Sequence, residues 1–210
     1  MSEAIGELVR DWVHGWARCR DVAPPVAVPE GYRLQVDRPG HLARHVLPEF
    51  DPDTVRALAD RLSTVDNWLK VCGPPEQVAA CLSPHWSVGA PEFLMSTALQ
   101  SRPPLPTSYT VEVAGNGEVV DVRLRADDGE LAASGRIGLA GAAAVIDQVE
   151  TAPAHRRRGL GRIVMDRLGA QALDRGASRA VLVATTDGHG LYRALGWTTH
   201  SPVTAARRTS

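Results

Sequence analysis

Lysine is nearly absent from this sequence. Lys70 stands alone, so arginine supplies almost all the positive charge, a pattern that reads first as coding bias. Lysine and arginine together number 23 against 24 acidic residues, for a net charge of −1. With both signs mixed along the chain there is no basic face or stripe, and no nucleic-acid partner is expected. The Arg157/Arg158 cluster is too local to change that. Cysteine is limited to Cys19, Cys72 and Cys81. An odd number at these spacings makes neither a disulfide framework nor a zinc knuckle, which points to reduced thiols in a cytoplasmic protein. No stretch approaches the roughly 20 apolar residues of a membrane helix, and no basic segment followed by an apolar run opens the chain. Neither a membrane partner nor export is therefore expected. His41 and His45 lie four apart, but Pro39 and Pro48 argue against the helix that would bring them together, so no metal is expected.

What is present is enough for one substantial core, or two small ones sharing a sheet: 210 residues, 44% of them hydrophobic. Ile5, Leu8, Val9, Trp12, Val13 and Trp16 recur at intervals of three and four, which predicts a helix over 3–18 with one buried stripe. The proline-rich run 23–29 breaks it and reads as an extended connector. Strands are expected at Tyr32–Val36 and Arg44–Leu47, then a helix from Asp51-Pro52 to Leu62, with aspartate as its cap and proline in its first turn. Trp68–Cys72, Trp86–Val88 and Glu92–Leu99 read as strands, with a short helix at Pro75–Leu82. Trp12, Trp16, Trp68 and Trp86 are expected in the core rather than on a ligand.

Pro103, Pro104 and Pro106 mark the best boundary. They suggest an α/β region over 1–100, a linker over 101–107 and a second domain over 108–210. In the second part, glycine-containing turns separate Thr110–Ala114, Val119–Arg125 and Leu131–Leu139, an antiparallel meander. A strand at Ala144–Thr151, a helix from about Leu160 to Arg175, a buried strand at Ala180–Ala184 and a short helix at Gly188–Leu195 follow. The strand–helix–strand run Trp68–Trp86 echoes Ala180–Trp197. A decayed duplication and a coincidence common to α/β proteins both account for it, and the second is slightly preferred.

The segment Arg156-Arg157-Arg158-Gly159-Leu160-Gly161-Arg162 lies between a strand and a helix. Two glycines let the backbone approach a ligand, and the first amides of the helix lack intrachain acceptors. The helix dipole and the arginine rim complete a socket for a pyrophosphate. Neither the P-loop lysine nor a third glycine of the dinucleotide fingerprint is present. The string alone is common; its placement, with Leu191-Tyr192-Arg193-Ala194-Leu195-Gly196-Trp197 about 30 residues downstream, carries the weight.

In that order the elements resemble the GNAT acetyltransferase superfamily, with its strand, (Q/R)-x-x-G-x-(G/A) loop, helix, strand and L-Y-x-x-L-G-F/W helix. The resemblance covers about 105–200. It implies an α/β (α+β) fold on a mixed, mostly antiparallel sheet flanked by helices, the N-terminal half being either a degenerate GNAT-like repeat or unrelated. It also implies an N-acetyltransferase with acetyl-CoA as co-substrate and a primary amine, of a small molecule first, as acceptor, the amine attacking the thioester directly without a covalent enzyme intermediate. Carried over by residue, the amides of Arg157, Arg158, Gly159, Leu160, Gly161 and Arg162 would hold the pyrophosphate, with Arg156 at the rim. The backbone of Val149, Glu150 and Thr151 would pair with pantetheine. Tyr192 would face the sulfur and protonate the thiolate, and Asp147 or Glu150 would take the amine proton, Asp147 being preferred. Because strand residues alternate faces, only one of the two is expected to line the cleft. Thr185 stands where the family has asparagine, so Asp187 is expected to cap the short helix and to join the cofactor contacts, with Gly188 and Gly190 loosening it. His155 and His189 are expected as polar residues at the rim. The family's two helices between its first two strands are missing, so the N-terminal hundred residues must cover that side, or it is open, or a second subunit closes it. A monomer and a homodimer both fit. A non-catalytic acyl-CoA binder is the alternative.

Overall fold

The computed structural model describes residues 2–115 and 117–210, with side chains described from Ile5 onward; the turn residue Asn116 falls outside them. The chain opens with α1 (Ser2–Arg20), followed by β1 (Val26–Val28), β2 (Gly31–Arg38) and β3 (His41–Leu47). Then come α2 (Pro52–Arg61), β4 (Asn67–Cys72), α3 (Pro75–Ala79), β5 (Trp86–Val88) and β6 (Glu92–Ala98). After the proline segment follow β7 (Thr110–Gly115), β8 (Val119–Arg125), β9 (Leu131–Ala140) and β10 (Ala143–Thr151). The chain closes with α4 (Leu160–Asp174), β11 (Arg179–Thr185), α5 (Thr186–Ala194) and β12 (Thr198–Arg208). The expected elements are present, and the expected connector contains β1 as an extra edge strand. Among the described residues no helix is long and apolar enough to cross a membrane.

All twelve strands belong to one sheet, ordered β1-β2-β3-β4-β12-β6-β11-β10-β9-β8-β7, with β5 beside β12. Only β3–β4 and β10–β11 are parallel. The order reads the same from both ends of the β12–β6 centre. Each side runs outward through an antiparallel pair (β12–β4 or β6–β11), a parallel pair, and then antiparallel hairpins. Each parallel pair is joined by a helix, α2 or α4, and the last strand of each half crosses to the other. This repeat favours the duplication over the coincidence that the sequence alone slightly preferred.

The expected boundary at 101–107 therefore does not coincide with a gap in the sheet. β6, which precedes the prolines, lies between β12 and β11. The proline segment is itself tied down: Leu105 donates its amide to Asp166 (3.1 Å) and accepts from Arg167 (2.8 Å), both on α4.

Helix α1 covers one face of the C-terminal half. Its stripe of Leu8, Val9, Trp12, Val13 and Trp16 buries against Ala143, Val145 and Val181, while α4 packs on the other face through Leu160, Val164 and Leu168. The approach of α1 is so close that two glycines are needed. A Cβ on Gly138 of β9 would come within 2.3 Å of the Gly15 carbonyl oxygen, and one on Gly15 within 2.4 Å of Val145 Cβ. Replacing Gly138 by alanine should destabilise the fold by about 1–3 kcal/mol through overpacking. Urea unfolding followed by circular dichroism measures this; an unchanged midpoint would mean that α1 does not dock as described.

Candidate active site

β10 and β11 stay paired for only three residues, Ala143–Val145 against Arg179–Val181. The parting has a local cause. β10 shifts register against β9 between Asp147 and Glu150, with Gln148 at φ 55°. This is a bulge, whose extra residue bends and twists the strand away from its neighbour. A cleft of about 1110 Å³ opens there, lined by residues 146–153, 182–185, Arg156, Arg157, 159–162, Asp187, Gly188, Leu191 and Tyr192. Arg20 and Ser134 also reach it. Nothing in the sequence marks Gln148 as the hinge, and Arg20 lies 127 residues from its partner Asp147.

The bulge corrects one expectation. Asp147 pairs with Arg136 and Glu150 with Ser134, two residues apart on β9, so the two carboxylates lie on the same face of the sheet. They differ in company. Asp147 accepts two hydrogen bonds from Arg20, at 2.5 and 3.0 Å, which occupy both its oxygens. The carboxylate of Glu150 has no hydrogen-bond or ion-pair partner among the described residues and is exposed. Asp147 and Glu150 both line the cleft; Asp147 is engaged by Arg20, and Glu150 is the one left unengaged.

At the end of β10, one 3-10 turn (Pro153–His155) leads into the glycine loop. Arg157 (φ 63°) and Gly159 (φ 77°) both take the left-handed conformation, which turns the chain into α4. No side chain caps Gly159. Among the described residues the amides of 157–161 have no main-chain acceptor, whereas Arg162 and Ile163 both donate to the Gly159 carbonyl (3.0 and 3.3 Å). Arg162 thus offers its side chain rather than its amide. A Cβ on Gly159 would meet nothing within 4 Å, so the space above the loop is open. Gly161 also lines the cleft, and its lack of a side chain makes room for α5 as well: a Cβ there would lie 3.0 Å from Leu191 Cδ2.

The arginines divide. Arg157 and Arg162 line the cleft with no partner among the described residues. Arg156 folds back to the Thr151 carbonyl (3.3 Å), and Arg158 donates to the Tyr109 hydroxyl (3.1 Å). The same hydroxyl meets His155, whose other nitrogen meets Glu130. His155 is therefore a buried link behind the loop and not a rim residue. His189 stacks on Phe93 at 3.9 Å between ring centroids and bonds to Thr199.

Helix α5 presents Tyr192, buried against Trp197 and lining the cleft. Burial, and then the negative charge of Asp147, pushes its phenol up to about 12. The helix is capped by Thr185, whose hydroxyl accepts from the Gly188 amide at 3.2 Å; Asp187 sits in the first turn instead of capping it. Threonine thus keeps one acceptor where the related pattern has asparagine. Gly188 supports the tyrosine, since a Cβ there would lie 3.0 Å from Tyr192 Cε2, while Gly190 faces open space. No group of three or more His, Cys, Asp or Glu that could hold a metal occurs among the described residues; His41 and His45 lie on strand β3.

Residues 96–197 match the model of the Acetyltransferase (GNAT) family. The C-terminal half of the chain is a GNAT domain. Solved structures with the same fold include a GCN5-related N-acetyltransferase from Kribbella flavida (TM-score 0.66, 18% identity, 99% of this chain and 96% of that one). Another from Sphaerobacter thermophilus gives a TM-score of 0.57 at 13% identity over 87% of this chain and 79% of its own. A tandem GNAT protein from the clavulanic acid biosynthesis pathway matches at TM-score 0.52 and 14% identity, over 74% of this chain and 67% of that one. At these identities the likeness is one of fold, and it agrees with the repeated order of the sheet. A comparison with curated proteins gives no match. GNAT proteins are acyltransferases that draw on acyl-CoA, and the cleft lies where β10 and β11 of the GNAT domain part. Substituting Thr185 by alanine removes the α5 cap and should cost about 1 kcal/mol, read as a lower melting temperature; Thr185→Asn should restore most of it. Equal losses in both variants would show that capping is not what this position supplies.

Proposed function

We propose that the chain moves an acetyl group from acetyl-CoA to the primary amine of a small molecule, within a complex of both substrates. One observation carries the reading. The uncapped start of α4 and Tyr192 lie along the same split between β10 and β11, so an anion socket and a proton donor share one cleft.

Acetyl-CoA supplies an acyl carbon already activated as a thioester. The chain's part is to hold and to move protons. Amides of 157–161, with the side chains of Arg157 and Arg162, bind the pyrophosphate; the helix dipole adds to them. The edge of β10 beyond Val145 has no strand partner on the β11 side and offers Val149–Thr151 to the pantetheine amides. As the amine nitrogen bonds to the acyl carbon and the carbon–sulfur bond breaks, Tyr192 gives its proton to sulfur. The amine proton leaves through Glu150, directly or by water. Asp147, held by Arg20, fixes the field around Tyr192 rather than accepting that proton. Asp187, at the α5 entrance, borders the same cleft.

Acetyl-CoA should raise the melting temperature of the wild type, and Gly159→Glu should abolish the rise by placing a carboxylate in the socket. A rise retained in that variant would remove the loop from the binding site. Tyr192→Phe should lower kcat roughly 100-fold with the KM for acetyl-CoA little changed; an equal loss in both would refute the proton-donor role. With its phenol near 12, above the ordinary 10, Tyr192 stays protonated throughout the neutral and mildly alkaline range. The kcat profile should therefore show no tyrosine deprotonation below pH 11. Binding of acetyl-CoA without thiol release to any amine would favour an acyl-CoA binder over an enzyme.

A further inference from the structure

On the α1 side of the sheet, beside the cleft, charged side chains from five elements come together. Arg20 ends α1, Arg44 lies on β3, Lys70 on β4, Glu92 at the start of β6 and Asp147 on β10. Arg44 feels the charges of Glu92, Asp147 and Arg20, and Lys70 those of Arg44, Glu92 and Asp147. Two of the three cations are already matched. Arg20 holds Asp147, and the lone lysine, 7% exposed, holds Glu92. Burial, then the nearby Arg44, lowers the Lys70 ammonium to about 8, so it remains largely charged at neutral pH.

Arg44 is the exception. It has no anion and no hydrogen-bond acceptor among the described residues, and its Nε is buried without a partner. Its guanidinium lies 3.9 Å from the centre of the Trp16 ring and 5.9 Å from that of Trp12. Stacking on indoles fixes the plane of the group but supplies no acceptor for its five N–H donors. Burial lowers its pKa to about 10, so it stays charged at neutral pH, yet part of its surface remains accessible. His41, between Trp16 and Trp68, adds no charge: burial, then Arg44, hold it near 4, and its Nε2 is likewise buried without a partner. The cluster therefore carries one positive charge in excess. An uncompensated cation so deep in a fold is costly unless something pairs with it.

The geometry points to Arg44 as the anchor for a carboxylate on the acceptor, so that the amine accepted is amino-acid-like. This rests on the acetyl-transfer reading above and specifies its acceptor. A single excess charge matches a monoanion, and the planar fork of a guanidinium suits a carboxylate held by two parallel hydrogen bonds. Arg44 shares the Trp16 ring with Arg20, whose guanidinium lies 5.8 Å from it, and Arg20 and Asp147 line the cleft itself, so the anchor connects to the split strands through Trp16 and Arg20.

The test uses N-acetyl amino acids as product-side probes against their carboxamides, with and without coenzyme A, by thermal shift and calorimetry. At least one acid should stabilise the wild type while its carboxamide does not. In thiol-release assays the free amino acid should show a KM roughly 10- to 100-fold below that of its amide. Arg44→Met should erase this preference and leave the acetyl-CoA shift intact, and Arg44→Lys should retain part of it. Preference for a carboxamide or a diamine, no discrimination across the panel, or an equal effect of Arg44→Met on acid and amide would overturn the assignment. Absence of any acetyl-CoA shift would instead strike the transferase reading, since the acid-against-carboxamide arm without coenzyme A reports on Arg44 alone.

Discussion

Everything functional in this molecule depends on two parallel strands failing to stay together. β10 and β11 are paired at one end and free at the other, because a bulge at Gln148 turns β10 aside. A strand edge left open inside a sheet is ordinarily a liability, since its peptide groups lack partners. Here the open edges face a cleft wide enough for an extended ligand that carries amides of its own. The same turn of β10 brings the chain to Gly159 at the angle that starts α4 against the cleft. Strand, loop and helix are thus one device with one hinge.

The repeat shows what happens where that device is absent. On the other side of the sheet β3 and β4 pair over five residues, Ala43–Leu47 with Asn67–Val71, and no cleft divides them. Helix α2 begins with Asp51, whose carboxylate accepts from the Thr54 amide at 2.7 Å. An anion is already in place at that helix start, supplied by the chain. The equivalent position before α4 is a glycine with no cap. One half has neither the split nor the uncapped helix start, and the other has both. The crossing of β6 and β12 makes the closed half indispensable all the same, because it provides the neighbour of β11 and the wall beside the cleft.

Much of this was legible in the sequence because it depends on short-range chemistry. Periodicity located α1, turn residues located the meander, and the order of loop, helix and L-Y-x-x-L-G-W located the cleft-forming segment. What escaped depends on contacts between distant residues. The bulge at Gln148 has no glycine to announce it, so the faces of Asp147 and Glu150 were misjudged. The pairing of Arg20 with Asp147 joins residues that no local pattern relates. Three prolines do mark the junction between the two halves, but the sheet is shared across it: the chain leaves the middle of the sheet at β6 and re-enters at its edge with β7. Gly161 also makes room for α5 and Thr185 caps it, roles that only the neighbouring helix and amide define.

The side of the sheet under α1 follows from the same economy of parts. The strands of the C-terminal half are joined by a tight turn where relatives of this pattern insert helices, so their face would be bare. α1 fills it from the far end of the sequence, and the Gly15–Gly138 approach draws its last turn down onto β10. That placement sets Arg20 at the cleft, with Trp16 and Trp12 behind it and Arg44 of the other half stacked on them. Three cations and two carboxylates at such a junction add little to stability compared with apolar residues of similar volume, which are often as good or better. The guanidinium left without an acceptor there, stacked on indoles but partly open to solvent, is what the acceptor-carboxylate proposal builds on. On that reasoning the half without a cofactor socket contributes the residue that recognises the second substrate.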